Sequence, residues 1–138
     1  MDSFTPANLQ TLIADRTGPC VSIFTRTHRG GDKQGPIRWK HQLDEAEKRL
    51  VALGMCSSDA ADVVDAGRAL LNDLEFWRNT SDGLAGFFTP GIQQIFRLPI
   101  AFENETVVGP RFQIKRVQLA ILPAVCRLFQ EFGAISRE

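Results

Sequence analysis

The fold is decided by residues 19–53, which read PCVSIFTRTHRGGDKQGPIRWKHQLDEAEKRLVAL. Residues 20–25 combine β-branched and aromatic side chains after the break at Gly18-Pro19, and this pattern predicts a β-strand. A glycine-rich loop follows the strand. Pro36 is typical of the first turn of a helix, because the N–H that proline lacks would have no partner there. The stretch therefore predicts a strand, a loop and a helix in that order.

The predicted helix has one apolar stripe, because its apolar residues recur at steps of three and four. The stripe consists of Trp39, Leu43, Ala46, Leu50 and Leu53. The opposite face is charged, and Asp44 precedes Lys48 by four residues, which is the favourable order for an ion pair on a helix. Gly54 is expected to end the helix. Trp39 belongs to the stripe and is therefore expected in the core rather than stacked on a ligand.

The same strand, loop and helix offer a site for an anion. A loop followed by a helix N-terminus presents backbone N–H groups and the positive end of the helix dipole. Basic side chains and both histidines are concentrated here, and the predicted RNA- or phosphate-binding residues are Arg26, His28, Arg29, Lys33, Arg38, Lys40 and His41. Two interpretations stay open: contacts with the phosphates of an RNA, or an ordinary solvated charged surface.

The composition excludes several classes of protein. A chain of 138 residues is expected to form one domain with a substantial core. Its 16 basic and 16 acidic side chains cancel, so any binding to nucleic acid would need a local patch. The sequence has three cysteines, Cys20, Cys56 and Cys126. An odd number without a C-x-x-C pair favours free thiols over disulfides or a metal site. Without a signal peptide or a long apolar run, the protein is expected to be cytoplasmic, with no membrane partner.

Further elements are predicted on both sides of this stretch. Thr5-Pro6 and the apolar residues after it predict a short helix near the N-terminus. A second long helix is expected after a cap at Ser57 or Ser58, continuing to residue 78. Gly67 lies inside this helix, where it costs helix propensity but allows close helix packing.

The second half of the sequence predicts β-structure. Residues 84–89 and 92–98 predict two strands of a hairpin, separated by Pro90-Gly91. This pair is typical of a two-residue type II turn, although a slightly longer loop also fits the sequence. Residues 106–108 predict a further short strand, and from about residue 113 the pattern is helical again.

This order of elements predicts the fold class α+β. The expected architecture is a small mixed β-sheet of about four or five strands, including the hairpin, packed against helices. Residues 1–122 form the predicted α+β domain, and residues 123–138 form a C-terminal helical tail.

Several segments, taken in their order and spacing, resemble those of a known family. They are residues 19–24, 27–29, 35–40, 45–50, 76–78, 81–85, 97–99 and 108–112. In this combination, residues 15–122 resemble the N-terminal domain of the bacterial archaeo-eukaryotic release factor-like family. Its members are bacterial relatives of the class 1 release factors of archaea and eukaryotes. The resemblance implies the fold of that domain and an association with translation.

The resemblance implies binding to RNA or the ribosome more than codon reading. In the archaeal and eukaryotic factors, the matching domain reads stop codons partly with an Asn-Ile-Lys-Ser loop. That loop corresponds to Gly35-Pro36-Ile37-Arg38 here, where Ile37 is kept and Arg38 is the basic residue. The resemblance therefore implies that the basic loop and the helix N-terminus contact RNA.

The resemblance also implies that the chain is not an enzyme. Peptide release in the superfamily belongs to a middle domain with a Gly-Gly-Gln tripeptide, and this sequence ends where that domain is expected to begin. Gly30-Gly31 precedes Asp32, so it does not supply the tripeptide. The residues themselves agree, because His28 and His41 lack a nucleophile motif and the loop lacks the Gly-Lys-Ser/Thr end of a Walker A sequence. Neither a cofactor nor a metal is expected.

An alternative hypothesis is a protein-interaction module without a role in nucleic-acid binding. The predicted C-terminal helix has an apolar face formed by Val125, Leu128, Phe129 and Phe132. If no other domain covers this face, the helix would be buried in a homodimer or against a different protein.

Overall fold

The computed structural model of the chain describes residues 7, 10, 12, 18–31 and 33–113. The strands are β1 (Cys20–Arg26), β2 (Gly83–Thr89), β3 (Ile92–Leu98) and β4 (Glu105–Gly109). The helices are α1 (Gly35–Ala52), α2 (Ser57–Val63), α3 (Asp65–Ala69) and α4 (Leu74–Arg78), with a 3₁₀ turn at Leu70–Asn72. One sheet packed with helices confirms the predicted α+β class.

The four strands form one sheet in the order β3-β2-β1-β4. Val21 in β1 lies opposite Phe88 in β2 and opposite Val108 in β4. The hairpin of β2 and β3 has the predicted two-residue turn, because Thr89 pairs directly with Ile92. Gly91 in that turn has φ of +85°, which glycine adopts without strain and which a type II turn requires at this position.

All three strand pairings are antiparallel, so the prediction of a mixed sheet is wrong. The reason lies in the helical connection between β1 and β2. Helix α1 leads the chain away from the end of β1, and the shorter helices lead it back, so that Gly83 starts β2 opposite Arg26. A strand that starts where its neighbour ends must run in the opposite direction, whereas a parallel neighbour needs a single returning crossover.

Helix α1 covers one face of the sheet with the predicted apolar stripe. Trp39, Leu43, Ala46 and Leu50 are fully buried, in one cluster with Val21 and Ile23 of β1. The stripe ends there, because Leu53 follows the helix and its side chain is 65% exposed. The indole Nε1 of Trp39 donates a hydrogen bond to the carbonyl oxygen of Gly67 at 2.9 Å. Gly67 is in close contact with Leu43, which confirms the predicted close packing.

Phenylalanine side chains cover the other face of the sheet. Phe24 of β1 and Phe87 of β2 pack edge-to-face with ring centroids 6.0 Å apart, and Phe112 packs against Phe87 at 5.5 Å. Leu12 is buried in the same cluster. Both faces of the sheet are therefore covered, which explains why every residue of β2 is buried.

The connection from β3 to β4 crosses the end of the sheet. Because these strands are at opposite edges, residues 99–104 must pass β2 and β1. The carbonyl oxygen of Ile100 lies directly over Gly83, where a side chain would have no room. Phe102 then packs on Phe24 at 5.2 Å, and the side-chain oxygen of Asn104 accepts a hydrogen bond from the N–H of Arg26 at 2.7 Å.

The second predicted long helix is broken, and its expected cap is wrong. Cys56 occupies the N-cap position of α2, without a side-chain hydrogen bond. The helix breaks at Val64, which is fully buried, and this break lets both Val64 and Leu70 reach the core. Asp73 then caps α4, because its Oδ1 accepts a hydrogen bond from the N–H of Phe76 at 3.0 Å.

Other predictions fall largely or wholly on residues outside the described part. Of the predicted N-terminal helix, the structure describes Ala7, Gln10 and Leu12, which are helical. Residues 114–138 are outside it, and with them the C-terminal helix, Cys126 and the proposed dimer surface. In the part of the chain that the structure describes, the helices are too short or too polar to cross a bilayer.

Candidate functional site

The glycine-rich loop after β1 is fixed to the turn that precedes β2. The backbone N–H groups of Thr27 and Gly30 donate to the carbonyl oxygens of Asp82 and Thr80, each at 3.2 Å. In return, the hydroxyl of Thr80 donates to the carbonyl oxygen of His28 at 2.6 Å. Gly31 has φ of +120° and lies so close to the backbone of α4 that a side chain would crowd it. The hydrogen bonds therefore join the loop and the turn into one unit, which fixes the positions from which their side chains extend.

This unit brings basic side chains from distant parts of the sequence to one end of the sheet. Here β1 and β3 end, β2 begins and α1 starts. We call this surface the basic rim, and it consists of Arg26, Arg29, Lys33, Arg38, Arg78 and Arg97. Arg78 is included because it ends α4, where its backbone lies beside Gly31 of the loop. His28 lies in the loop of the rim and is exposed.

Arg26 and Arg38 are brought together at the rim. The guanidinium of Arg38 donates two hydrogen bonds, from Nε at 3.2 Å and from Nη2 at 2.8 Å, to the carbonyl oxygen of Arg26. These bonds satisfy a carbonyl at the end of β1 and fix a positive charge beside it. The side chain of Arg26 is exposed to solvent next to this charge.

Arg29 and Lys33 project from the loop into solvent. The Nη2 of Arg29 lies 3.4 Å from Oδ2 of Asp82, with the two side chains 74% and 39% exposed. An ion pair this open contributes on the order of 0–1 kcal/mol to stability. A stronger anion in solution can therefore replace Asp82 as the partner of Arg29.

Lys40 and His41, in contrast, are not on the basic rim. Each helical residue turns by about 100°, so the side chains of Arg38 and Lys40 leave α1 about 160° apart. The Nζ of Lys40 lies 3.5 Å from Oδ2 of Asp44 on the flank of α1 that faces α3. His41 lines a groove of about 610 Å³ on that flank with Asp44, Glu45, Glu47, Lys48, Val51 and Arg68.

The flank of α1 that faces α3 has as many carboxylates as cations and is organised by Arg68. The Nη2 of Arg68 lies 2.8 Å from both Oδ1 of Asp44 and Oε1 of Glu47. Partial burial works to raise the pKa of Asp44, but the hydrogen bond and charge of Arg68, with help from Lys40, outweigh it and lower that pKa. Burial likewise opposes the charge of Arg68, whereas the two carboxylates raise its pKa. This flank is therefore suited to stabilising the packing of α3 on α1 and not to holding an anion.

The other flank of α1 faces the strands and is occupied by hydrogen bonds to the backbone. Gln42 donates from Nε2 to the carbonyl oxygens of Phe24 at 2.7 Å and Glu105 at 3.0 Å. Arg49 donates from Nη1 to the carbonyl oxygen of Thr106. Arg38 lies on this same flank, one helical turn before Gln42, and is therefore beside β1 at the rim.

Sequence reasoning missed Arg78 and Arg97 as members of the site. The guanidinium of Arg97 lies over the ring of Phe76, 5.1 Å from its centroid, and donates from Nη1 to the carbonyl oxygen of Asn79 at 3.1 Å. A groove of about 520 Å³ separates Arg97 from the loop, and its lining residues are Arg29, Asn79, Thr80, Ser81, Arg97 and Pro99. The hairpin pattern locates Arg97 near the start of β2, but only the pairing of β2 with β1 brings it to Arg29.

The chemistry that these residues offer is cationic hydrogen bonding. Among the residues that the structure describes, no group of three or more His, Cys, Asp or Glu side chains is placed to hold a metal ion. Cys20 is buried and Cys56 is exposed, and both are free thiols as predicted. The Sγ of Cys20 lies 3.7 Å from the carbonyl oxygen of Pro110.

Comparison of the chain with protein-family models finds no match, and comparison with the curated proteins finds none.

Proposed function

We propose that this chain is a non-catalytic, release factor-like domain that binds RNA or the ribosome through the basic rim. The observation that carries the proposal is the gathering of guanidinium and ammonium groups from β1, the loop, α1, α4 and β3 at one end of the sheet. The chain as a whole has no net charge. A local excess of cations on a neutral protein is the kind of patch that phosphate binding requires.

The geometry of the rim supports contact with phosphates. Guanidinium groups bind phosphate oxygens through paired hydrogen bonds, and this favours arginine over lysine at such contacts. Arg38 and Arg97 are already held in place by backbone carbonyls, so little rotamer entropy is lost when they bind. Among the residues that the structure describes, Arg29 is held by its open pair with Asp82, which a phosphate can displace.

The proposal is tested by co-sedimentation with ribosomes at about 50 and about 200 mM salt, a range over which phosphate contacts weaken strongly. The test variant is Arg29→Ala/Lys33→Ala, because both side chains are exposed and substitutions of exposed residues usually change stability little. The matched control is Lys40→Ala/Lys48→Ala, which removes the same charge from the flank of α1 that faces α3. We expect the wild type and the control to pellet with ribosomes at low salt, and the rim variant to remain in the supernatant.

Two results would count against the proposal. If the wild type does not pellet even at low salt, association with the ribosome is refuted and only binding to isolated RNA would survive. If the rim variant and the control pellet equally, the rim is not the contact surface. Circular dichroism of both variants confirms that they are folded before they are compared.

A further inference from the structure

We infer, on the basis of the proposed RNA-binding function, that the basic rim binds the sugar–phosphate backbone of paired RNA and does not read bases. Two features of the rim support this inference: the fold has buried the large aromatic side chains, and the neutral polar groups at the rim already form hydrogen bonds within the protein.

The first observation is that the large aromatic rings of the described residues, those of Phe and Trp, are in the core, whereas the smaller imidazole of His28 is exposed in the loop. Each Phe and Trp side chain of the described residues is buried, with at most 7% of its surface exposed. They are Phe24, Trp39, Phe76, Trp77, Phe87, Phe88, Phe96, Phe102 and Phe112. Proteins that bind single-stranded RNA stack its bases on exposed aromatic rings, and each stacked base contributes about 1–3 kcal/mol. The rim offers no Phe or Trp ring from the described part of the chain for this purpose.

The second observation concerns the neutral polar groups. Base edges are read by neutral polar side chains and by arginine, but the deep, narrow major groove of a paired RNA keeps arginine away from them. At the rim the neutral polar groups hold the loop and the turn in place. The hydroxyl of Thr27 donates to the carbonyl oxygen of Ser81 at 2.7 Å, and that of Thr80 donates to His28. Asn79 donates from Nδ2 to the carbonyl oxygen of Glu75 at 2.9 Å, and Asn104 accepts from Arg26. Base reading by these side chains would require breaking bonds that position the cations.

What the rim offers to a ligand is therefore positive charge on a surface of fixed shape. Arg97 is fixed over Phe76, Arg38 is fixed at the carbonyl of Arg26, and Arg29 and Lys33 lie in the loop anchored between them. A double helix suits such a surface, because its backbone is regular and its bases are already stacked on each other. A single strand has no such preformed backbone, and ordering it costs conformational entropy. The rim has no exposed Phe or Trp ring in the described part of the chain that could offset this cost by base stacking.

The test is filter binding of the wild-type chain to four RNA probes of about 16 nucleotides or base pairs, the length that a known duplex-binding domain spans. Two probes are duplexes of unrelated sequence, and two are single strands, oligo(U) and oligo(A). We expect both duplexes to bind more tightly than either single strand and to agree within about fivefold, since reading even one base pair would separate them by more.

A salt titration of the tighter duplex locates the contact. The slope of log K against log salt reports the number of phosphates neutralised, at about 0.9 per contact. Arg29→Ala/Lys33→Ala is expected to reduce this slope by about two contacts, and Lys40→Ala/Lys48→Ala to leave it unchanged. An unchanged slope in the rim variant would overturn the inference.

The remaining outcomes separate this inference from the proposed function. Equal or tighter binding of the single strands, or duplexes that differ by more than about fivefold, would overturn backbone reading while leaving RNA binding in place. Failure of all four probes to bind would overturn the inference, and the proposed function would then survive only if the wild type still pellets with ribosomes.

Discussion

Gly83 is the residue where the structure makes its sharpest prediction about stability. It starts β2 opposite Arg26, and the connection from β3 to β4 passes over it. A Cβ atom added here would collide with the carbonyl oxygen of Ile100 and lie 2.5 Å and 2.8 Å from two ring atoms of Phe102. We therefore expect Gly83→Ala to destabilise the domain.

The magnitude follows from two opposing effects. Overpacking a well-packed site costs about 1–3 kcal/mol, and the upper end applies because one of the colliding atoms belongs to the backbone. Replacing glycine within a strand returns about 0.5–1 kcal/mol of backbone entropy. The net loss in the free energy of unfolding is thus about 2 kcal/mol. With a urea m-value of about 2 kcal/mol/M, the midpoint of unfolding should fall by about 1 M.

Gly109→Ala provides the matched control, since Gly109 also lies at the end of a strand. In the described part of the chain, no heavy atom lies within 4 Å of a Cβ built at this position. The control should therefore unfold at the wild-type urea concentration or slightly above it. Urea unfolding followed by far-UV circular dichroism measures all three proteins. A midpoint for Gly83→Ala equal to that of Gly109→Ala would refute the crossing of this connection over β2.

Three further predictions concern the helices and the hairpin. Arg68→Ala should raise the pKa of Asp44, which NMR can measure, and an unshifted pKa would contradict the pairing. Because the pKa of Asp44 is lowered in the folded protein, the ionised carboxylate stabilises the fold near neutral pH, and this stabilisation is lost below about pH 4. Trp39→Phe should lower the free energy of unfolding by about 1–3 kcal/mol in urea, because it leaves the buried carbonyl of Gly67 without its donor; a change below about 0.5 kcal/mol would contradict this account. Gly91→Ala should cost about 1–2 kcal/mol in the same assay, because φ of +85° forces a side chain into a strained conformation, and an unchanged midpoint would exclude that turn.

The elements that could be predicted from the sequence are those whose signals are local. The apolar stripe of α1 is visible as a repeat of three and four residues, and the hairpin turn is visible in Pro90-Gly91. The break at Val64 has no comparable signal, because Val64 fits the helical pattern and the helix breaks so that two separate segments can reach the core. The antiparallel direction of β2 likewise depends on whether the helices between β1 and β2 return the chain to the end of β1, and no short sequence pattern indicates this.

The candidate site was predicted only in part, for a related reason. Residues 26–41 are close in sequence and were grouped on that basis. The helical step already places Arg38 and Lys40 on different flanks of α1, so this division could have been found without a structure. Arg97 could not, because it joins Arg29 only through the pairing of β2 with both β1 and β3.

The burial of both indoles has a practical consequence. The sequence contains two tryptophans and no tyrosine, so Trp39 and Trp77 dominate its near-ultraviolet emission. Both belong to the cluster between α1 and the sheet, and each donates its Nε1 hydrogen to a carbonyl oxygen, of Gly67 and Leu70 respectively. Their emission should therefore be blue-shifted and resistant to acrylamide quenching, and a red shift would report that this core has opened.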